Sequence, residues 1–303
     1  MRQPITPMIC RTRYPFHLPF LVLLTGFLFV SCEKFTGDQE IPAYLSVDSI
    51  YLSTDYSKQG TNSQNITDVW VYVDDEFLGA YELPARFPVL KSGTHAVKMW
   101  PGVKKNGISA TRIAYEYYTP IQRNINFKED STSAAGILKT TYQTPAFFAW
   151  LEDFESAGLS LDTTQRSTAY IDKTPAGSPL TFQGSHSGIV RFDSIHDFLE
   201  VQTHEIYPIP LSSVFLEMNF NTTNTVTVGV ITYGISTLAQ TPIITLNRTN
   251  GVWKKIYIDL TTTLNAYTGM NSFRVYLGTF KDSDHQESML LFDNFKIVTR
   301  KTN

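Results

Sequence analysis

The sequence predicts an all-β protein in which a small, sandwich-like N-terminal domain precedes a larger two-sheet sandwich. Val, Thr, Tyr and Ser are abundant, and aromatic residues make up 13% of the chain, a composition typical of strands. Short segments that alternate apolar and polar residues recur along the chain with polar turns between them, as in a sandwich. No long stretch places apolar residues at the period of about 3.6 residues that marks an amphipathic helix.

The first 31 residues are expected to be a cleaved secretory signal. Residues 18–32 read LPFLVLLTGFLFVSC, and three arginines precede this run, at Arg2, Arg11 and Arg13. The apolar core is about a dozen residues long, which suits a signal peptide and is too short for a membrane-spanning helix. A polar chain follows it, so we expect residues 1–31 to be absent from the mature protein.

The end of this signal resembles that of bacterial lipoproteins, in which a small residue precedes a cysteine whose thiol receives a diacylglycerol. Here a serine precedes Cys32, so the resemblance implies that Cys32 is lipidated and that residues 32–42 form a tether. Glu33, Asp38 and Glu40 resemble the acidic signal that sends some Bacteroidota lipoproteins to the cell surface; a plain solvated linker is the alternative. The implied location is the outer membrane, with the protein exposed at the surface. An ordinary secretory signal with an incidental cysteine stays open.

Charge and cysteine content exclude several classes of function. The formal net charge is −3 and there is no basic cluster, which argues against nucleic-acid binding. The chain has two cysteines, of which Cys10 lies in the signal and Cys32 is the expected lipidation site. The mature protein would therefore have no free thiol for a disulfide, a thiolate zinc site or a cysteine nucleophile. The phosphate-binding motifs of nucleotide sites are absent as well, so no organic cofactor is expected.

Residues 43–128 are expected to form the first domain. Alternation of apolar and polar residues predicts its strands, and the acidic residues at 74–76 predict a hairpin turn with a bulge near Gly79. The expected strands cover residues 43–52, 69–83 (a hairpin), 95–100, 108–118 and 121–127.

The same region resembles the small PEGA-type β-domain. That family has a V-D-x-x-x-x-G turn, a proline and then L-x-x-G-x-H-x-V. The matching residues in this chain are Val73, Asp74, Gly79, Pro84, Leu90, Gly93, His95 and Val97. The resemblance implies a β-module at the cell surface with no catalytic activity. In such a module His95 is structural, and the acidic hairpin tip is solvated rather than bound to a metal.

A linker is expected at residues 129–136 and the second domain at residues 137–303. Residues 129–135 read EDSTSAA, a charged and Ser/Thr-rich stretch without large apolar residues, as at many domain boundaries. The short strands that follow, with polar turns between them, predict a two-sheet sandwich. They are expected at residues 189–192, 214–220, 226–233, 253–260, 273–277 and 290–298.

Four short motifs of the second domain, in this order, resemble those of jelly-roll carbohydrate-binding modules and galactose-binding-like domains. They are FE at 154–155, GSHSG at 184–188, WKKIYIDL at 253–260 and FDNFKI at 292–297. The resemblance implies a jelly-roll fold and a glycan as the ligand. The motifs do not include ligand-binding residues, so the site itself is left open.

The same resemblance implies a structural calcium ion. In those modules an early Glu and a late Asp meet at one edge of the sandwich, and the matching residues here are Glu155 and Asp293. Carboxylate oxygens suit a hard divalent cation, and an unpaired Asp293 among apolar residues would be costly to bury. The alternative is that Asp293 caps a turn or pairs with a lysine while Glu155 is exposed to solvent.

Three classes of function stay open: a glycan-binding surface module, an adhesin or accessory subunit of an outer-membrane transport or secretion assembly, and a jelly-roll glycoside hydrolase. The hydrolase is disfavoured. Asp282, Asp284 and Glu287 have the E-x-D-x-x-E spacing of one such family, but the residues between them are polar, as in a solvated loop. A serine-hydrolase elbow is excluded because His186 stands at the centre of residues 184–188. We therefore expect no catalytic residue.

Tryptophan rings can stack on sugars, so their expected positions bear on the glycan hypothesis. Trp150 lies beside Phe147 and Phe148, and Trp253 belongs to a strand motif, so both are expected in the core. Trp100, at a strand end before Pro-Gly, is the best candidate for an exposed ring.

We expect Cys32→Ser to move the protein from the membrane fraction to the soluble fraction, because acyl chains supply most of the attachment of a lipoprotein. Membranes from cells that express the wild type or the variant would be washed with high salt and compared by immunoblot. A variant that stays in the washed membranes would contradict attachment through a lipid at Cys32.

Overall fold

The computed structural model describes residues 41–283 and 288–301, and strands dominate them. They form twenty β-strands and two four-residue helices, α1 (Tyr56–Gln59) and α2 (Thr261–Leu264). The expected all-β class is therefore confirmed. No helix within these residues is both long and apolar enough to span a membrane. The expected signal and Cys32 lie outside the described residues.

The first eight strands form two sheets that enclose one core. Sheet I has the spatial order β4 (Ala85–Val89), β1 (Ala43–Ser53) and β8 (Thr132–Thr141). Sheet II has the order β3 (Glu76–Glu82), β2 (Asp68–Val73), β5 (Gly93–Lys104) and β6 (Arg112–Ala114), and β7 (Ile121–Phe127) also pairs with β5. Strands β1 and β8 run parallel, whereas β1 with β4 and the pairs of sheet II are antiparallel. Side chains from both sheets, such as Leu45 and Val71, fill the space between them.

The remaining twelve strands form the second sandwich. Sheet III has the order β10 (Leu161–Thr163), β13 (Phe198–Thr203), β19 (Met270–Phe280), β16 (Val226–Gly234) and β17 (Leu238–Leu246), with β14 (Tyr207–Pro208) beside β19. Sheet IV has the order β11 (Asp172–Lys173), β12 (Gly188–Phe192), β20 (Ser288–Arg300), β15 (Phe215–Thr222) and β18 (Lys254–Asp259), with β9 (Ala146–Glu152) beside β20. The larger of the two sandwich cores lies between these sheets. The expected two-sheet sandwich is thus present.

The residues expected to form a linker are largely a strand of sheet I. Residues 128–131 make a turn, but β8 begins at Thr132 and pairs with β1 as far as Ser53. Strand β8 lies at the edge of its sheet, a position that tolerates polar and small side chains because one flank meets no further strand. The composition that resembles a linker therefore belongs to an edge strand.

The expected hairpin of the first sandwich is confirmed. Asp74 and Asp75 both have positive φ, 51° and 65°, as a two-residue turn between twisted strands requires. The pairing of β2 with β3 shifts by one residue next to Gly79, which is the expected bulge. His95 Nδ1 lies 2.6 Å from Asp74 Oδ2, so His95 ties β5 to the hairpin tip.

Two parts of the strand pattern differ from expectation. The sequence pattern predicts one strand over residues 108–118, but only Arg112–Ala114 pair in the sheet. Tyr115, Tyr117 and Tyr118 leave the ladder and are buried between the two sandwiches, where ring contacts hold them. The pattern also does not predict β13 and β17, which lie in sheet III.

A buried carboxylate, that of Glu217 on β15, joins the two sandwiches. It has no exposure to solvent. Tyr115 donates a hydrogen bond of 2.9 Å to its Oε1, and Tyr142 donates one of 2.9 Å to its Oε2. Lys255 Nζ lies 3.2 Å from Oε2 and makes an ion pair with it. The two tyrosines come from the first sandwich, whereas Glu217 and Lys255 belong to the second. The two sandwiches therefore meet in one defined arrangement.

A second lysine, Lys296 on β20, is buried in the same cluster. Its Nζ donates a hydrogen bond of 2.6 Å to the carbonyl of Thr61 and lies 5.1 Å from the ring centre of Tyr142. Burial lowers the pKa of Lys296 to about 7; Glu217 opposes this shift and Lys255 adds to it. Burial also lowers the pKa of Lys255. Two buried lysines therefore share one carboxylate.

The contact between the two sandwiches determines which broad surface of the second sandwich is left exposed to solvent. Residues of β15 and β20 are buried almost throughout, because one side of sheet IV packs in the core and the other under the first sandwich. Residues of β17 in sheet III are mostly exposed or half-buried. A ligand that uses a broad side of this sandwich must therefore approach the outer side of sheet III, which we name the open face.

We expect Glu217→Gln to lower the free energy of unfolding by about 3–5 kcal/mol, because two buried lysines lose the carboxylate that compensates them. Lys296→Met is the matched variant. It keeps the Glu217–Lys255 pair and removes the second buried amine. It should therefore lower the free energy of unfolding by no more than about 1 kcal/mol, or raise it. Urea denaturation measures both changes; equal losses in the two variants would contradict the role of Glu217.

The pH dependence tests the same cluster. Lys296 has a pKa of about 7 in the folded protein and a reference value of 10.5, so the unfolded chain binds more protons between these values. The contribution of Lys296 to wild-type stability should therefore rise with pH across this window. Comparison with Lys296→Met at pH 7 and 9 isolates that contribution, and identical pH profiles would rule it out.

Candidate functional site

The open face is built by alternation along β13 and β19. In β13, Leu199 and Val201 enter the core, and their neighbours Phe198 and Glu200 point outward. Strand β19 alternates in the same way. The outward side chains leave a shallow groove of about 820 Å³. It is lined by Arg166, Thr168, Asp197, Phe198, Glu200, Thr227, Tyr276, Gly278, Thr279 and Phe280.

Two phenylalanines form the apolar part of this groove. Phe198 and Phe280 are directly opposite each other on β13 and β19, with ring centres 4.4 Å apart and an angle of 34° between the rings. Phe280 is 68% exposed. Because the pair contributes nothing to the core and leaves apolar surface in water, it marks a surface suited to a ligand.

A tyrosine lies flat on the sheet beside this pair. Tyr276 is opposite Gly229 of β16, and a Cβ placed on Gly229 would lie 2.5 Å from the Tyr276 ring. Only glycine therefore allows the ring to approach the strand this closely. Burial and the nearby Glu200 raise the pKa of Tyr276, whose hydroxyl also contacts Gln240.

Planar polar groups surround the rings. Glu200 accepts hydrogen bonds from Thr164 at 2.9 Å, from Gln240 at 3.1 Å and from both Nε and a terminal nitrogen of Arg166. Burial by itself would raise the pKa of Glu200, but the hydrogen bonds from Arg166, Gln240 and Thr164 hold it below its usual value. The open face thus combines apolar rings with fixed donors and an ionised carboxylate.

The two expected calcium ligands contact the same loop, residues 184–188. Glu155 is exposed, and its Oε1 accepts hydrogen bonds from the backbone of Ser185 and His186 at 2.8 and 2.9 Å. Asp293 is 1% exposed and accepts from Ser187 Oγ at 2.6 Å. Within residues 41–283 and 288–301, no group of three or more His, Cys, Asp or Glu side chains is arranged to hold a metal.

Asp293 lies in a bulge of β20. Asn294 has a φ of 51°, and its backbone N–H donates to Asp293 Oδ1 at 2.7 Å. Because of the bulge, Phe292 and Phe295 both face the core although they are three residues apart. Burial raises the pKa of Asp293 to about 7, so this carboxyl is poised between its neutral and ionised forms.

Of the acidic triplet considered for hydrolysis, Asp282 is the one member among the described residues. Asp282 accepts hydrogen bonds from Arg248 and Thr225. Burial opposes ionisation of Asp282, but these bonds hold its pKa below the usual value. Asp284 and Glu287 lie outside the described residues.

No tryptophan lines the groove of the open face. Trp150 is in the core as expected, 5% exposed, while Trp100 is half-buried. Trp253 is half-buried rather than in the core. No sequence motif indicated Phe198 or Phe280; the alternation in FLEVQT at residues 198–203 is the signal that could have found the first of them.

The comparisons with known proteins identify structural neighbours but no family. No protein-family model and no curated protein matches the chain. The CBM22-2 xylan-binding domain from Paenibacillus barcinonensis Xyn10C is 18% identical with a TM-score of 0.35, over 50% of this chain and 99% of that one.

Two further structures are of the same kind. The family 11 carbohydrate-binding module from Clostridium thermocellum, in complex with a β-1,3-1,4-mixed-linked tetrasaccharide, is 11% identical with a TM-score of 0.33, over 52% of this chain and 98% of that one. A structure from a study of promiscuous specificity in carbohydrate-binding modules of the β-sandwich superfamily is 11% identical with a TM-score of 0.32, over 76% and 84%. The structural neighbours of this chain are thus carbohydrate-binding modules, at a similarity too low to assign a family or a ligand.

Proposed function

We propose that this protein is a non-catalytic glycan-binding protein, anchored through a lipid at Cys32 to the outer membrane and exposed at the cell surface. The observation that carries the proposal is the exposed Phe198–Phe280 pair on the open face. A pyranose ring has an apolar side of C–H groups that packs on aromatic rings, and hydroxyls at its edge that need hydrogen-bond partners. The open face supplies both kinds of contact.

The polar groups of the open face suit sugar hydroxyls. Arg166 and Gln240 are planar donors, and Glu200 is an acceptor whose position they fix. Groups that are held in place lose little conformational entropy when a ligand binds. The groove volume of about 820 Å³ is within the ordinary range of ligand sites.

The same contacts argue against hydrolysis. A glycosidase needs one carboxylic acid with a raised pKa to protonate the leaving group. Glu200 has a lowered pKa because Arg166, Gln240 and Thr164 offset its burial. Asp197, the other acid of the groove, accepts a hydrogen bond of 3.1 Å from Thr168. Glu200 is thus not set up as a general acid, so the proposal is binding without cleavage.

An adhesin or an accessory subunit of an outer-membrane assembly is the second candidate, and it would use the same face. Tyr170 is 63% and Ile195 is 75% exposed, in loops connected by the hydrogen bonds between Thr168 and Asp197. These side chains extend the apolar surface beyond what a sugar ring covers, as a protein contact would require.

Calcium binding at Glu155 and Asp293 is a further part of the proposal. Glu155 Oε2 accepts no hydrogen bond from the described residues, and Asn294 Oδ1 is buried without a partner among them. Oxygen ligands of this kind fit a hard dication. In that role the ion would tie the beginning of the second sandwich to its last strand.

We expect Phe280→Ala to weaken glycan binding about ten-fold or more, because the exposed ring is the outer half of the aromatic pair. The protein from residue 33 onward would be applied to an array of plant, microbial and host glycans, and titrations with the strongest binder would follow. Ile235→Ala is the matched control, since Ile235 is 97% exposed and does not line the groove.

Loss of glycan binding in both variants, or in neither, would contradict a site at the open face. An array without any bound glycan would favour the protein-partner alternative. Neither variant should change the melting temperature by more than about 2 °C, because both side chains are largely in solvent.

We expect Ca²⁺ to stabilise the protein and to do so more at pH 8 than at pH 6. Binding requires ionised Asp293, whose pKa is about 7, so protons compete with the ion at the lower pH. Melting curves in EDTA and in Ca²⁺ at about a hundred times its Kd should differ by about 2.7 kcal/mol in unfolding free energy. Asp293→Asn should abolish the difference; an unchanged shift in that variant would end the calcium proposal.

A further inference from the structure

A second cleft lies where the two sandwiches meet, and it shares no lining residue with the groove of the open face. Its volume is about 500 Å³. The first sandwich contributes residues 63–65 and the turn at Asn106, and the second contributes residues 244–247, residues 253–256 and Phe182. We name it the junction cleft, since neither sandwich forms it alone.

An aromatic pair forms one wall of the junction cleft. The ring centres of Phe182 and Trp253 are 5.0 Å apart, at an angle of 42°. Phe182 is 37% exposed and Trp253 is half-buried, so both rings keep part of their surface open to the cleft. Trp253 immediately precedes β18, which the Glu217–Lys255 ion pair holds in place.

Two amide side chains of the first sandwich line another part of the cleft. Asn65 Nδ2 donates to the carbonyl of Lys255 at 3.2 Å, and Asn106 Oδ1 accepts from the backbone of Asp259 at 2.8 Å. Each of these amides therefore has one end fixed by the opposite sandwich. The other ends, Asn65 Oδ1 and Asn106 Nδ2, have no hydrogen-bond partner among residues 41–283 and 288–301 and can serve a ligand.

The charge of the junction cleft is positive. Three lysines line it, Lys104, Lys254 and Lys255, and no aspartate or glutamate does. Lys255 is neutralised by Glu217, and Lys104 lies 3.7 Å from Glu82, which is outside the cleft. Lys254 is exposed and makes no ion pair with the described residues. Lys254 therefore gives the cleft a local excess of positive charge, which attracts an anion.

We propose that the junction cleft is a separate site for an acidic sugar, a uronate or sulfated unit of a glycan. The sugar ring packs on Phe182 and Trp253, its hydroxyls contact the free ends of Asn65 and Asn106, and its acid group faces Lys254 and Lys104. This site does not depend on the open face. It does depend on both sandwiches, because the rings come from one and the fixed amides from the other.

Calorimetry with the protein from residue 33 onward tests the proposal with three probes: trigalacturonate, a heparin-derived tetrasaccharide and neutral β-1,4-galactotriose. We expect one or both anionic probes to bind at least about ten-fold more tightly than galactotriose at this site. The binding should weaken as salt rises from about 50 to about 200 mM, because exposed charges are screened. The uronate and sulfate arms separate the two sources of acidic sugar.

Lys254→Gln is the decisive variant. It removes one exposed charge without a packing change and should weaken anionic binding about five-fold or more. Trp253→Ala should weaken it as well, after a melting curve has shown that this variant folds. Lys91→Gln is the control, since Lys91 is an exposed lysine like Lys254 and does not line the cleft.

Phe280→Ala separates this proposal from that of the open face. Binding of the anionic probe should be unchanged in that variant even where neutral glycan binding is lost. The proposal is overturned if neither anionic probe binds, if galactotriose binds equally well, or if Lys254→Gln has no more effect than Lys91→Gln.

Discussion

The arrangement of this protein depends on one carboxylate that is removed from water, that of Glu217. A buried charge of this kind is costly unless its partners are complete, and here they come from Tyr115, Tyr142 and Lys255. The first sandwich must therefore cover sheet IV in a single orientation. That orientation leaves the outer side of sheet III in solvent and places the amides of the first sandwich beside Trp253. Both proposed ligand surfaces follow from the same contact.

Local features of the fold could be predicted from the sequence, and non-local ones could not. The turn at Asp74 and Asp75 and the strand that contains Asp293 depend on neighbouring residues, so pattern and turn chemistry indicate them correctly. The parallel pairing of β1 with β8 joins segments about ninety residues apart, which no local pattern reveals. Residues 132–136 therefore resemble a linker, since nothing in their own sequence indicates that they pair with β1.

The candidate site was less predictable than the fold for a related reason. Phe198 and Phe280 become a site only because β13 and β19 pair in a register that brings them face to face. The sequence shows each ring separately, and a ring in an alternating strand is more often a core residue. Gly229 indicates a close contact, since a glycine within a strand often marks a place where another group approaches the backbone. The ring that approaches it, that of Tyr276, lies almost fifty residues further along the chain.

The parallel pairing of β1 with β8 also determines how the molecule bears force. The chain enters β1 at Ala43, from the side of the proposed anchor, and leaves β8 at Thr141 toward the second sandwich. These two ends lie at opposite ends of the paired strands. A pull between a membrane anchor and a captured ligand would slide the strands past each other along their length, so that all the ladder hydrogen bonds resist together rather than one after another. Rupture under such shear is governed by the unfolding rate, and the first sandwich is thereby suited to hold a load.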